Sequence, residues 1–264
     1  MKTNLLLLYS LIFLVNTAPI CAQQIDKSQN NNGTVDKVNI KGKFVTIGKS
    51  NGIKHVAYMA GPESSKLGII FVHDYFGVTE ATKSSVERLG ALGYQTIAVD
   101  LYNGKTADTN DSATVLMNNK NSLHTESILE SAIEFLRRPH RELVSIGFSA
   151  GGMDALKANL MNPELFAGTA VVYGGNYDAI EADILNRLDS PFLAITGSDD
   201  EWALNAALNY LQLKPDKPLE LYVYPSANHG YAQPLFSAGA NYDEEAVRLT
   251  WLLLEDFLGR HLKS

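Results

Sequence analysis

The chain has 264 residues, 45% hydrophobic and 19% charged, proportions that can bury a full globular core. Its formal net charge is −7 with no Lys/Arg-rich run, which argues against nucleic acid as a partner. Cys21 is the only cysteine, so no intrachain disulfide can form and stability must come from the core.

The N-terminus opens with Lys2 and an apolar stretch from Leu5 to Val15, shorter than the ~20 residues of a transmembrane helix. Small and polar residues follow, with Ala22 at a cleavage position. Residues 1–22 therefore read as a secretory signal peptide. Cleavage there removes Cys21 and with it any thiol nucleophile. Residues 23–37, QQIDKSQNNNGTVDK, are polar and aperiodic, as expected of a flexible leader. The mature protein is expected to be secreted or periplasmic, with no membrane attachment and one domain over 38–264.

Two strands, Lys43–Ile47 and Lys54–Met59, flank Ser50-Asn51-Gly52, a hairpin signal. Six further runs follow: Gly68–His73, Thr96–Asp100, Leu143–Gly147, Gly168–Tyr173, Phe192–Thr196 and Leu219–Tyr224. They are too continuously apolar for half-exposed strands and imply a parallel sheet buried on both faces. Helix-length segments lie between them, at Thr79–Leu92, Ser122–Arg137, Gly151–Leu160, Ile180–Leu188 and Ala203–Leu213, and Glu244–His261 closes the chain. The expectation is an α/β fold, a mostly parallel eight-stranded sheet with helices on both faces. Residues Tyr102–Asn121, with Lys105, Asp108 and Asp111, read as one long irregular loop, either a functional rim or an uninvolved excursion.

Gly147-Phe148-Ser149-Ala150-Gly151 sits between the fifth strand and a helix. A turn that sharp admits only small neighbours and projects its apex side chain at the carboxyl end of the sheet. The following helix aims its positive end there too. This pattern makes Ser149 a candidate nucleophile, which needs a base and an acid that orients the base. In this chain order the acid precedes the histidine. His229 follows the last strand in a loop, whereas His261 lies in the terminal helix and the remaining histidines precede the serine. For the acid, Asp199, Asp200 and Glu201 compete in GSDDEW after the seventh strand, and one of them could instead cap the next helix. An N–H from Ala150, just after the nucleophile, suits an oxyanion hole.

The stretches GIIFVHDYFGVTE, VDLY, GFSAGG, YGG, GSDDEW and ANHGYA resemble, in order and spacing, the dienelactone hydrolase family of α/β hydrolases, from about Lys54 to the C-terminus. The resemblance implies the α/β-hydrolase fold, Asp200 as the triad acid, and Tyr75 as the second oxyanion-hole N–H beside Ala150. It also marks departures. The best-known members carry cysteine where Ser149 stands and glutamate where Asp74 stands, so Asp74 is expected to be structural. An arginine that grips the substrate carboxylate is replaced by Gln233, which argues against dienelactone itself as substrate.

The function expected is therefore hydrolysis of small-molecule carboxylic esters or lactones through Ser149, His229 and Asp200 and an acyl-enzyme. No metal or organic cofactor is expected, because no His/Cys/carboxylate cluster has ligand spacing. The alternatives are a non-catalytic ligand-binding member of the fold and a peptide or C–C bond hydrolase. Tyr75, Phe76, Trp202 and Tyr231 flank the loops in question and could line a pocket or fill the core.

Overall fold

The computed structural model describes residues 40–176, 182–213 and 219–261. The proposed signal peptide and leader lie outside these residues.

Eight strands form one sheet: β1 (Lys43–Ser50), β2 (Ile53–Ala60), β3 (Leu67–Val72), β4 (Gln95–Val99), β5 (Glu142–Phe148), β6 (Phe166–Val172), β7 (Phe192–Gly197) and β8 (Leu219–Tyr224). The spatial order is β1-β2-β4-β3-β5-β6-β7-β8. Strand β2 runs antiparallel to β1 and β4, and the six strands from β4 to β8 run parallel. The hairpin turns at Asn51 and Gly52, both at positive φ, where asparagine and glycine meet the least steric resistance.

Side-chain alternation splits the core into two layers. Ile69 and Phe71 of β3 join Val144 and Ile146 of β5 on one face, covered by α1 (Glu80–Ala91) and α7 (Glu244–His261). Ile70 and Val72 point the other way, under α3 (Ser122–Leu136) and α4 (Gly151–Met161). On that face Leu156 of α4 continues the core toward Ala206 and Tyr210 of α6 (Glu201–Leu213). Burial on both faces explains why strands β3 to β7 read as unbroken apolar runs.

Three expectations are corrected. Residues 102–121 are not wholly irregular, since α2 (Asn110–Asn118) forms within them. Thr109 Oγ1 accepts the Ser112 N–H at 3.2 Å while Ser112 Oγ accepts the Thr109 N–H at 3.2 Å, a reciprocal cap. Strand β8 is not buried on both faces. It is one edge of the sheet, with no strand paired beyond it among the described residues, and Tyr222 and Val223 are exposed. Between β6 and β7 the helix α5 (Ala182–Leu185) ends at Leu185 rather than at Leu188, and the start expected at Ile180 lies outside the described residues.

Candidate active site

The turn after β5 is built as its sequence demands. Ser149 takes a positive φ of 50°, a conformation that side-chain-bearing residues adopt rarely and that tends to mark functional turns. A side chain on Gly147 would strike the backbone of Gly151, and one on Gly151 would strike the carbonyls of Val72 and His73. Those glycines let β5, α4 and the end of β3 converge within backbone contact. The Ser149 N–H donates to Val172 O at 2.9 Å and Gly152 N–H donates to Ser149 O at 2.9 Å, fixing the apex. Ser149 is 8% exposed, and its Oγ lies at a cleft of about 560 Å³ at the carboxyl end of the sheet.

His229 and Asp200 converge on this hydroxyl. His229 Nε2 is 2.8 Å from Ser149 Oγ. Its Nδ1 is 2.7 Å from Asp200 Oδ2. A carboxylate accepting at Nδ1 places the imidazole proton there and leaves the Nε2 lone pair for the serine hydroxyl. Asp200 is 3% exposed, and its other oxygen accepts the Ala203 N–H at 3.1 Å, so it also caps α6. Asp199 is exposed and accepts from Ser198 Oγ at 2.9 Å, away from the imidazole. Of the competing acids, the structure brings Asp200 to His229.

The His229 loop is held by one adjacent and one more distant hydrogen bond. Asn241 Nδ2 donates to His229 O at 2.8 Å, and the His229 N–H donates to Asn228 Oδ1 at 2.7 Å. Rings of Tyr173, Trp202 and Phe236 surround the imidazole at 5.5, 5.3 and 5.2 Å, all edge to face.

The loop after β3 forms the opposite rim. Asp74 Oδ1 accepts the Phe76 N–H at 2.9 Å and Oδ2 accepts from Gln233 Nε2 at 2.5 Å, linking this loop to the one that carries His229. Burial pushes the Asp74 carboxyl above the ordinary carboxylate range, and the bonds from Gln233 and Phe76 counter that rise. Neighbouring His73 donates from Nδ1 to Asp74 O at 2.5 Å and accepts the Leu101 N–H on Nε2 at 3.3 Å. Burial holds its pKa below the usual histidine value. The backbone N–H groups of Tyr75 and Ala150 make no hydrogen bond among the described residues.

Helix α2 supplies a wall that the reading of 102–121 as a loop left open. Its Ala113 packs with Phe76 and Ala107, and Met117 with nearby Lys120 lines the cleft. Lys120 Nζ reaches Asp154 Oδ2 of α4 at 2.5 Å. Of the four flanking aromatics, Tyr75 and Trp202 line the cleft, while Phe76 and Tyr231 are fully buried in the core.

The sequence profile of the dienelactone hydrolase family matches residues 56–262. The chain belongs to that family. A Saccharolobus solfataricus protein assigned provisionally as a carboxymethylenebutenolidase is 27% identical over 254 residues, covering 80% of this chain and 96% of its own. Among solved structures, a provisionally assigned dienelactone hydrolase from Klebsiella pneumoniae superposes with a TM-score of 0.67 at 22% identity, covering 85% of this chain and 99% of its own. The dienelactone hydrolase of Anabaena variabilis gives 0.64 at 18% identity, covering 84% of this chain and 98% of its own. The sheet order and crossovers are those of the α/β-hydrolase fold. This dienelactone hydrolase family member is a carboxylic ester hydrolase acting on small molecules.

Proposed function

We propose that this hydrolase cleaves carboxylic esters or lactones by transferring the acyl group to Ser149. The observation that carries the reading is the unbroken relay from Ser149 Oγ through His229 to Asp200, at 2.8 and 2.7 Å. As Ser149 Oγ attacks the carbonyl carbon, its proton passes to His229 Nε2. The carbonyl oxygen becomes an oxyanion, which the N–H groups of Tyr75 and Ala150 receive. One such donor is worth ~3 kcal/mol of transition-state stabilisation. Asp200 holds the imidazole orientation and stabilises the cation formed on it. Collapse breaks the bond to the alcohol oxygen, which takes the proton from Nε2. Water then repeats the sequence on the acyl-enzyme, losing its proton to His229, and Ser149 Oγ leaves reprotonated with the free carboxylic acid.

Asp74 and Gln233 act in this scheme as positioning residues that hold the Tyr75 amide, and neither touches the reacting atoms. Gln233, at the position where the best-known family members carry a substrate-gripping arginine, is buried and bonded to Asp74, so no cation acts from that position on a dienelactone carboxylate. We further propose export: a signal peptide over residues 1–22 is cleaved, and the mature enzyme works outside the cytoplasm without membrane or nucleic-acid partners. Mass analysis of the protein recovered outside the cytoplasm should give an N-terminus at Gln23, and an intact Met1 there would refute export by cleavage.

Wild type should hydrolyse phenyl acetate and be labelled at Ser149 by a fluorophosphonate, because only an activated serine reacts quickly. Ser149→Ala should lose both while retaining its circular dichroism spectrum. Near-normal turnover by that variant would overturn the mechanism.

A further inference from the structure

His229 is the group that returns a proton to the departing alkoxide, so whatever lines the cleft beside its ring also borders the leaving group. Two cleft aromatics do so. Trp202 sits in the first turn of α6, two residues beyond Asp200, on the β7 side of Ser149. Phe236 follows β8 and rests 5.9 Å from Tyr75, whose loop leaves β3 on the other side of β5. The pair thus reaches His229 from two sides of the nucleophile.

Both rings are seated on glycine. A Cβ on Gly175 would lie 2.6 Å from the Trp202 indole, and one on Gly230 would lie 2.7 Å from the Phe236 ring. Gly230 also has a φ of 72°, so any side chain there would be strained as well as blocked. The Trp202 indole N–H donates to Asn176 Oδ1 at 3.2 Å, which fixes its rotation. A ring held this firmly is usually core, yet Trp202 is 43% exposed. Its uncovered surface faces a cleft, where a flat apolar group could be laid against it without reorganising the protein.

We propose that Trp202 and Phe236 form a leaving-group subsite that selects esters of planar aromatic alcohols over aliphatic ones. The inference rests on the serine mechanism above and deepens it, by assigning the alcohol side of the cleft to the two glycine-backed rings. The acyl group is left the remaining cleft beside Met153 and Met117.

The test compares phenyl acetate with 2,2,2-trifluoroethyl acetate, which share an acyl group and both have activated alcohols. The ratio of their kcat/KM values cancels any general damage. Trp202→Ala and Phe236→Leu should each lower the phenyl preference by about 3- to 10-fold, chiefly through KM. Trp202→Phe should recover most of it, and the pH–rate profile should stay where it is. If both esters decline together, or the profile moves, the rings serve only to hold His229 and the subsite is refuted. An unchanged ratio refutes it too. Failure of the mechanism itself looks different: wild type would escape fluorophosphonate labelling, or Ser149→Ala would keep its phenyl acetate turnover, and the inference would fall with it.

Discussion

Asp200→Asn separates two jobs that one carboxylate performs. Oδ1 caps α6 through the Ala203 N–H, while Oδ2 accepts from His229 Nδ1. An asparagine can keep the cap with its carbonyl oxygen, and its NH₂ then faces the imidazole. That donor drives the ring proton to Nε2, the nitrogen 2.8 Å from Ser149 Oγ, and the lone pair that must take the serine proton is lost. A wrong tautomer of this kind lowers kcat by about 10⁴, or about 5 kcal/mol of transition-state stabilisation. The fold should barely respond, because asparagine caps a helix about as well as aspartate. Asp200→Ala removes the cap as well and should cost about 1 kcal/mol of stability. Asp199→Asn is the matched control, altering an exposed side chain bonded to Ser198. It should leave kcat within about twofold, the range expected of a surface change. Steady-state hydrolysis of phenyl acetate and thermal melts on the same preparations give both quantities. An Asp200→Asn enzyme keeping roughly a tenth of wild-type kcat, or an equally damaging Asp199→Asn, would refute the assignment of the acid.

Two further outcomes follow from groups away from the relay. Lys120 and Asp154 form a largely buried ion pair with side chains 22% and 5% exposed. Lys120→Met strands the carboxylate and should cost about 3 kcal/mol, the low end for buried pairs because the lysine end is partly solvated. Lys120→Met/Asp154→Leu should recover most of that loss in urea denaturation, and a single variant as stable as wild type would contradict the burial argument. Burial, with His124 second, lowers the His55 pKa below its ordinary 6.5. The unfolded chain therefore binds that proton more readily, so the His55 contribution is complete above about pH 6.5 and is lost as pH falls through the lower folded value. His55→Asn should show a shallower decline in urea midpoint between pH 8 and 5 than wild type, and a steeper one would reverse the sign.

Much of this molecule is legible along the chain because the deciding forces are local. Alternation within β3, with Ile69 and Phe71 to one layer and Ile70 and Val72 to the other, reads as a doubly covered strand. Gly147 and Gly151 announce a turn that only small residues survive, with Ser149 at its apex. The order of serine, acid and histidine follows from where loops leave a parallel sheet. Helix α2 escaped this reading because it is only nine residues long and buries only Ala113, and its Thr109–Ser112 cap hides among polar residues.

What the amino-acid order determined by itself was which runs are buried strands, the elbow, and the short set of groups that are candidates to meet there, since each is read from neighbours a few residues apart. Local residues left Asp199 and Asp200 open until the family resemblance pointed to Asp200. That Asp200 rather than Asp199 meets the imidazole in space, which aromatics end in the cleft rather than the core, and that β8 is an edge belong to the assembled tertiary structure. These depend on approaches such as Asp200 to His229 or Trp202 to Gly175, made by segments tens of residues apart, and no local pattern encodes which side of a loop will face inward.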